Sequence, residues 1–323
     1  MVMNSSTAIP TSASSSNVFD IGNHTTKLIK IEADNCRKNA SSSSPPPKPL
    51  LICAPSEEGV YPVLVFLHGF LLYNSFYSQL LQHVASHGFI VVAPQLYSIT
   101  GPDAKEEIKV TSEITNWLSN GLSRFLPPNV EPNLTKLALA GHSRGGKVAF
   151  ASALNNKQKS PTSLKFSALI GVDPVDGTGK GEQHPLPVFT YTPHSFDLDG
   201  MGVLIVGSGL GEVKRNPLFP PCAPKGVNHE DFYNECSKPV HYFVAKDYGH
   251  LDMLDDGTKG IRGKASYCLC KNGESREPMR RFVGGVSVAF LRGYLEGDFK
   301  ELVAIREGHM VLPLELQRVE FDV

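Results

Sequence analysis

Short apolar runs and longer amphipathic stretches alternate along most of the chain. Residues 63–67 form a continuous apolar run, which is typical of a strand covered on both faces. In residues 106–124, Ile108, Ile114 and Leu118 recur near one face, which indicates a helix. The same patterns predict further strands at residues 89–93, 137–140, 166–172, 203–207 and 240–244, and helices at residues 79–87, 146–155 and 282–295. This regular alternation predicts an α/β fold with a mostly parallel central sheet and helices on both faces.

Two stretches near the N-terminus break this pattern. Residues 1–17 are rich in Ser and Thr and carry no charged side chain, so we expect a mobile tail. They lack the basic start and apolar core of a secretory signal, and their composition is loosely that of a plastid transit peptide without arginine. Residues 39–49, a Ser run followed by prolines, predict a surface excursion between two early strands. We therefore expect one folded domain over residues 18–323.

The composition excludes several classes of partner. The 323 residues are 41% hydrophobic, which is enough for a sizeable core. Lys and Arg number 31 against 32 Asp and Glu, and the formal net charge of -1 gives no field suited to nucleic acid. No run of 18 apolar residues predicts a transmembrane helix. These patterns carry no sign of an oligomeric state.

The six cysteines are too few for a disulfide-built scaffold of this length, and we expect mainly free thiols. No C-x-x-C pair occurs, which disfavours a zinc ribbon. Cys222 and Cys236 bracket a Pro-rich loop and are the candidates for a bridge in an oxidising compartment. Cys268 and Cys270, one residue apart, fit a strand.

Ser143 lies at the centre of a G-x-S-x-G pattern, in the sequence Gly-His-Ser-Arg-Gly at residues 141–145. The pattern alone is weak, but here it follows a short apolar strand and opens a helix-forming run. That strand–turn–helix setting is what a nucleophile elbow requires, with Gly141 and Gly145 as the small residues beside a strained serine. The sequence therefore predicts Ser143 as a nucleophile, against the simpler interpretation of a surface serine in a glycine-rich turn.

Acyl transfer also needs two N–H donors aimed at the oxygen on which negative charge develops. One donor in this architecture is the residue after the nucleophile, here Arg144. The second comes from the loop after an earlier strand, and Gly69 lets that loop turn so that the Phe70 N–H points inward. We interpret His68 as a structural histidine that orients this loop.

The order of the remaining groups in this architecture is an acid and then a histidine. His250 follows Gly249 just after the last predicted core strand, where the base belongs. Asp173 ends the strand at residues 166–172, at the sheet edge where active sites form. The commonest arrangement places the acid one strand later, where Glu212 is the nearby acid, and Asp176 is a third candidate.

Four segments resemble plant chlorophyllase: residues 141–146 (Gly-His-Ser-Arg-Gly-Gly), 172–177 (Val-Asp-Pro-Val-Asp-Gly), 228–236 (Asn-His-Glu-Asp-Phe-Tyr-Asn-Glu-Cys) and 247–253 (Asp-Tyr-Gly-His-Leu-Asp-Met). The resemblance implies an α/β-hydrolase fold and hydrolysis of the phytyl ester of chlorophyll to chlorophyllide and phytol, without a cofactor or metal. It carries the catalytic roles to Ser143, Asp173 and His250. A broad lipase or carboxylesterase is the alternative, and a receptor without turnover is disfavoured because the catalytic groups are intact.

A large apolar substrate needs a wide pocket with aliphatic and aromatic walls. Phe70, Leu71 and Leu72 are the candidates for one wall. The segment at residues 212–238 is a candidate lid or cap, with Phe232 and Tyr233 toward the substrate, unless its aromatic rings pack within the segment itself. The resemblance also implies the chloroplast and peripheral contact with pigment-bearing membranes. Cytosol or another compartment is the alternative, because residues 1–17 are short for a transit peptide.

Overall fold

The fold is described here from a computed structural model, which covers residues 17–32, 45–99, 101, 103–155, 164–217 and 219–323. Residues 1–16, nearly all of the expected tail, lie outside the described residues, and so do residues 39–44 of the expected surface excursion.

The described residues form a sheet of nine strands in the order β1-β2-β4-β3-β5-β6-β7-β8-β9. The strands are β1 (Thr26–Ile31), β2 (Leu50–Pro55), β3 (Gly59–Leu67), β4 (Ile90–Pro94), β5 (Val130–His142), β6 (Ala168–Val172), β7 (Gly202–Ser208), β8 (Val240–Ala245) and β9 (Leu316–Asp322). Strands β4, β3, β5, β6, β7 and β8 pair in parallel, and antiparallel pairing adds β1, β2 and β9 at the two edges. The predicted mostly parallel sheet is confirmed.

Helices cover both faces of the sheet because its central strands are apolar on both sides. The α-helices of the described residues are α1 (Ser78–Ser86), α2 (Lys105–Gly121), α3 (Arg144–Asn155), α4 (His229–Glu235), α5 (Gly260–Ala265), α6 (Glu277–Leu291) and α7 (Lys300–Arg306). In β3, Leu64 packs into the core beneath α1 and α6, while its neighbour Val65 packs into the core beneath α2 and α3. This two-residue alternation explains why the strand is one continuous apolar run.

Sequence patterns located the central strands and the helices that cover them but missed the edge strand β9. Its residues are partly or fully exposed, and it pairs antiparallel with β8. An edge strand of this kind has no continuous apolar run, because one of its sides is open to solvent. Strand β5 also begins at Val130, well before the predicted start at residue 137, since its first half is only partly buried.

None of the described helices is long and apolar enough to cross a membrane.

Three of the five described cysteines are free thiols, as expected, but the two that pair are not the two proposed. Cys222 is bonded to Cys270, and Cys236 is a buried free thiol. The prediction of a Cys222–Cys236 bridge was wrong. Cys236 is the C-cap residue of helix α4 and is fully buried beside the apolar core. Cys268 is an exposed free thiol, and residues 268–270 lie in a turn, so the expected strand there was wrong as well.

Candidate active site

Ser143 lies in a sharp turn between the last residue of β5 and the first residue of α3. Its φ of 55° is in the left-handed region, which is strained for a serine. A Cβ atom on Gly141 would lie 2.1 Å from the Gly145 carbonyl oxygen, and one on Gly145 would lie 2.3 Å from the Leu67 carbonyl oxygen. No other residue fits at either position, so the two glycines allow the turn that holds Ser143 at the carboxyl edge of the sheet.

Three side chains from three strand ends meet at this edge. The Ser143 hydroxyl lies 2.8 Å from His250 Nε2, and His250 Nδ1 lies 2.7 Å from Asp173 Oδ2. All three residues are buried. The contact to the acid fixes the proton on His250 Nδ1, which leaves Nε2 free to accept the serine proton. This is the arrangement of a serine nucleophile, a general base and an orienting acid.

Asp173 is held as a carboxylate by its neighbours. Ser208, at the end of β7, donates to it from its backbone N–H at 3.2 Å and also from its hydroxyl. Burial raises the pKa of Asp173, but the hydrogen bond and electrostatic attraction from His250, with smaller contributions from His229 and Ser208, outweigh burial and hold the pKa at about 2. The acid is therefore ionised at neutral pH.

The other two candidate acids are engaged elsewhere. Glu212 is exposed and accepts a hydrogen bond from the Asn228 side-chain amide at 2.8 Å. Asp176 forms a fully buried ion pair with Lys147 at 2.9 Å. Of the three candidate acids, Asp173 is the one with a described hydrogen bond to His250.

The loop that carries the Phe70 N–H runs directly beside the serine. A Cβ atom on Gly69 would lie 3.2 Å from Ser143 Cβ. His68 donates from Nδ1 to the Gly69 carbonyl at 2.9 Å and accepts from the Leu96 N–H at 3.0 Å. Burial lowers the pKa of His68 to about 4, so the ring is neutral, as these two bonds require. These contacts are those of a histidine that orients the loop.

A cleft of about 380 Å³ opens at Ser143. Its lining residues are mainly apolar or small: Phe70, Gly101, Ser143, Arg144, Val175, Gly177, Thr178, His184, Pro220, Pro221, Cys222 and Pro224. Part of the 212–238 segment thus forms one wall, through its prolines. Among the described residues there is no cluster of His, Cys, Asp and Glu that could hold a metal ion.

Comparison with known proteins places this chain in a family. A sequence profile described as chlorophyllase matches residues 14–323. The chain is 62% identical to chlorophyllase-2 of Arabidopsis thaliana over 97% of this chain and 99% of that protein. It is 46% identical to chlorophyllase-1 of the same plant, over 92% of this chain and 90% of that protein. The chain belongs to the chlorophyllase family. A third relative is the chloroplastic chlorophyllase-1 of Citrus unshiu, at 43% identity over 94% of this chain and 88% of that protein.

Two of the four expected substrate contacts of this chlorophyllase-family chain, Leu71 and Leu72, follow Phe70 in the same loop. Phe70 lines the cleft with its side chain, but neither Leu71 nor Leu72 is among the described lining residues. Leu71 points into solvent from a left-handed turn, with φ of 57°, and Leu72 is buried in the core beneath α1. The loop turns sharply after Phe70, so consecutive residues do not share one wall.

The two aromatic residues of helix α4 also lie away from the cleft. Phe232 is fully buried, with its ring centroid 4.8 Å from that of Phe150 and 4.6 Å from that of Phe189. Tyr233 stacks on Tyr242 at 4.4 Å and donates to Asp322. The expectation that Phe232 and Tyr233 face the substrate is corrected by this packing, which joins α4 to the core.

Sequence reasoning missed the side chain of Arg144, for which only the N–H was considered. The residue is 2% exposed, and its guanidinium forms a two-pronged contact with Glu107 at 2.9–3.1 Å and donates to the Asp103 carbonyl at 3.0 Å. The Phe70 ring lies over it at 5.6 Å. Arg144 thereby ties the two expected oxyanion donors to the start of helix α2 in this chlorophyllase-family site. The signal in the sequence was a charged arginine directly after the candidate nucleophile.

Proposed function

We propose that this chain hydrolyses the phytyl ester of chlorophyll to chlorophyllide and phytol through an acyl-enzyme on Ser143. The observation that carries the proposal is the hydrogen-bonded set of Ser143, His250 and Asp173 in a chain that belongs to the chlorophyllase family. The resemblance to chlorophyllase-2 of Arabidopsis thaliana over 97% of the chain supports the same substrate.

The contacts support the following reaction. His250 Nε2 takes the proton as Ser143 Oγ attacks the ester carbonyl of the propionate side chain. The N–H groups of Phe70 and Arg144 stabilise the negative charge on the tetrahedral oxygen. His250 then returns the proton to the phytyl oxygen, phytol leaves, and the acyl group remains on Ser143. Water, activated by His250 in the same way, releases chlorophyllide and restores the serine.

The walls of the cleft support a bulky apolar ester. Phe70, Val175, Pro220, Pro221 and Pro224 supply apolar surface close to the nucleophile. We assign the prolines of the 212–238 segment as the part of that segment that contacts substrate, since α4 packs into the core. No cofactor has a role in these steps, because each uses only proton transfer and acyl transfer.

The test is release of phytol from purified chlorophyll a, measured beside hydrolysis of a short-chain aryl ester. The wild-type protein should cleave chlorophyll without added metal or nucleotide. Ser143→Ala should abolish both activities while the thermal unfolding midpoint stays near that of the wild type, and an organophosphonate should label Ser143. Cleavage of the aryl ester with no release of phytol would identify a general esterase, and labelling of another serine would overturn the nucleophile assignment.

We further propose the chloroplast as the compartment, with peripheral contact to pigment-bearing membranes. The Citrus relative carries the word chloroplastic in its name, and two exposed rings, Phe70 and Phe219, lie at or beside the cleft. A fluorescent fusion to the C-terminus should co-localise with chlorophyll autofluorescence in leaf cells. Fluorescence confined to the cytosol would contradict the proposal.

A further inference from the structure

His184 is the imidazole on the cleft wall that the hydrolytic steps above do not use. It lines the same cleft as Ser143 and is half-buried. Its Nδ1 is shut off from solvent and has no partner among the described residues. Nε2 has no described hydrogen bond either, and unlike Nδ1 it is not shut off from solvent, so it is the ring nitrogen open to a ligand.

The backbone around His184 is fixed by a buried ion pair. Lys147, in helix α3, donates from Nζ to the carbonyl of His184 at 3.0 Å and to that of Pro185 at 3.1 Å. The same Nζ pairs with Asp176 at 2.9 Å, and the second Asp176 oxygen accepts from the Val188 N–H at 2.9 Å. Helix α3 begins directly after Ser143, so His184 is tethered to the element that carries the nucleophile.

His184 lies on the wall of the cleft that holds the reacting serine, and its surroundings favour the neutral imidazole. Burial, with the positive charges of Arg144 and Lys147, lowers its pKa, and only Asp176 opposes them. A neutral imidazole with a free ring nitrogen is a metal ligand. Chlorophyll brings its own Mg²⁺, held in a plane by four ring nitrogens with an axial position left for one further donor.

We propose that His184 is the axial ligand of the substrate magnesium and so a specificity residue for the magnesium-bearing pigment. The inference rests on the proposed function, because it requires chlorophyll in this cleft. The magnesium lies at the centre of the rigid ring system, and the short propionate side chain joins the ester to that ring. Fixing the metal at His184 while the ester carbonyl meets Ser143 would orient the pigment by two points, and its magnesium-free counterpart would lose one of them.

The test compares chlorophyll a with pheophytin a, which has two protons in place of Mg²⁺ and keeps the same phytyl ester. For His184→Phe, which conserves size, and for His184→Gln, the ratio of kcat/KM for chlorophyll to kcat/KM for pheophytin should fall about tenfold, with KM carrying the change. The matched control is His309→Gln, an exposed histidine far along the chain, which should keep the wild-type ratio. A second readout uses Ser143→Ala protein, in which bound chlorophyll should change its visible absorption bands when His184 is also replaced.

The outcomes separate the two proposals. If the wild type cleaves both pigments and the His184 variants keep the wild-type ratio, the ligand assignment is wrong and the proposed function stands. An equal loss on both pigments would likewise overturn it, since His184 would then only support the cleft wall. If the wild type releases no phytol from either pigment, the proposed function fails and the ligand assignment fails with it.

Discussion

His142 Nε2 lies 2.8 Å from the backbone carbonyl oxygen of His250. A carbonyl oxygen only accepts, so His142 carries its proton on Nε2, and its Nδ1 accepts from the Tyr77 hydroxyl at 2.7 Å. The Tyr77 oxygen in turn accepts from the Gly69 N–H at 3.0 Å. One buried chain of hydrogen bonds thus joins the loop of one proposed oxyanion donor, the Phe70 N–H, to the loop of the proposed base.

We expect Tyr77→Phe to lower kcat more than it raises KM. The substitution leaves the Gly69 N–H and His142 Nδ1 without partners in a buried place, at a cost of about 1–3 kcal/mol for each group, and lets both loops shift. A loss of roughly tenfold to a hundredfold in kcat is expected, because displacement of a donor or base acts on the transition state. Steady-state kinetics on chlorophyll measure it.

The control for Tyr77→Phe is Tyr73→Phe, which removes a hydroxyl with no hydrogen bond to any described residue. Tyr73→Phe should keep wild-type kcat. If Tyr77→Phe lowers the unfolding midpoint but leaves kcat and its pH profile unchanged, the hydrogen-bond chain supports the fold and does not position the catalytic loops.

Asp173→Asn should lower kcat by about 10⁴, because the amide no longer fixes the proton on His250 Nδ1. Glu212→Gln should change kcat by less than about tenfold, since Glu212 is exposed and bonded to Asn228. Single-turnover rates on chlorophyll, with circular dichroism to check folding, distinguish the two. A large loss in Glu212→Gln with near-normal Asp173→Asn would transfer the acid role to the later strand.

The sequence singled out His250 as the candidate base because Gly249 and His250 lie in the loop after the last parallel strand. It left Asp173 and Glu212 open because each follows the end of a neighbouring strand, and only the folded register shows which carboxylate reaches the ring. Phe232 and Tyr233 were misjudged because an aromatic residue on a short helix gives no sign of whether it packs inward. The Cys222–Cys270 bond spans 48 residues, and no local pattern indicates such a pairing.

Stability should fall as the pH is lowered from about 6.5, because several histidines are buried in neutral form. Burial lowers the pKa of His68, His87 and His241 to about 4 and that of His142 to about 3, from an ordinary value of 6.5. Above pH 6.5 these rings are neutral in both states. Below it the unfolded chain binds protons that the folded chain excludes, so each ring removes up to about 1.4 kcal/mol of unfolding free energy per pH unit.

Urea denaturation at pH 7.5, 6.0 and 5.0 tests this expectation. His241→Phe places an apolar ring among Phe290, Tyr294 and Phe321 and should reduce the slope of unfolding free energy against pH by up to one proton. His309→Phe, at an exposed site, should leave the slope unchanged. An unchanged slope in His241→Phe would mean that this ring is protonated in the folded state as readily as in the unfolded one.

The Cys222–Cys270 disulfide should matter more for the phytyl ester than for a small ester. Cys222 lines the cleft beside the prolines of its wall. At the other end, residues 270–272 pack against the loop of the base, since a Cβ atom on Gly249 would lie 1.8 Å from the Lys271 carbonyl oxygen. The disulfide therefore joins the cleft wall formed by Pro220, Pro221 and Pro224, called the proline wall below, to residues 270–272, which pack against the loop of His250. Without it we expect a loss of about 2–4 kcal/mol in unfolding free energy, from the chain entropy of the open loop.

The variants that test the disulfide are Cys222→Ala with Cys270→Ala, and the matched control is Cys268→Ala, an exposed free thiol two residues away. The double variant should lose at least about tenfold more kcat/KM on chlorophyll than on a short-chain aryl ester, because the aryl ester does not need the proline wall. The control should keep both activities. Incubation of the wild type with a phosphine reductant should reproduce the double variant. Equal losses on the two esters would show that the bond supports the base loop alone, because a disturbed His250 would slow every substrate in the same proportion.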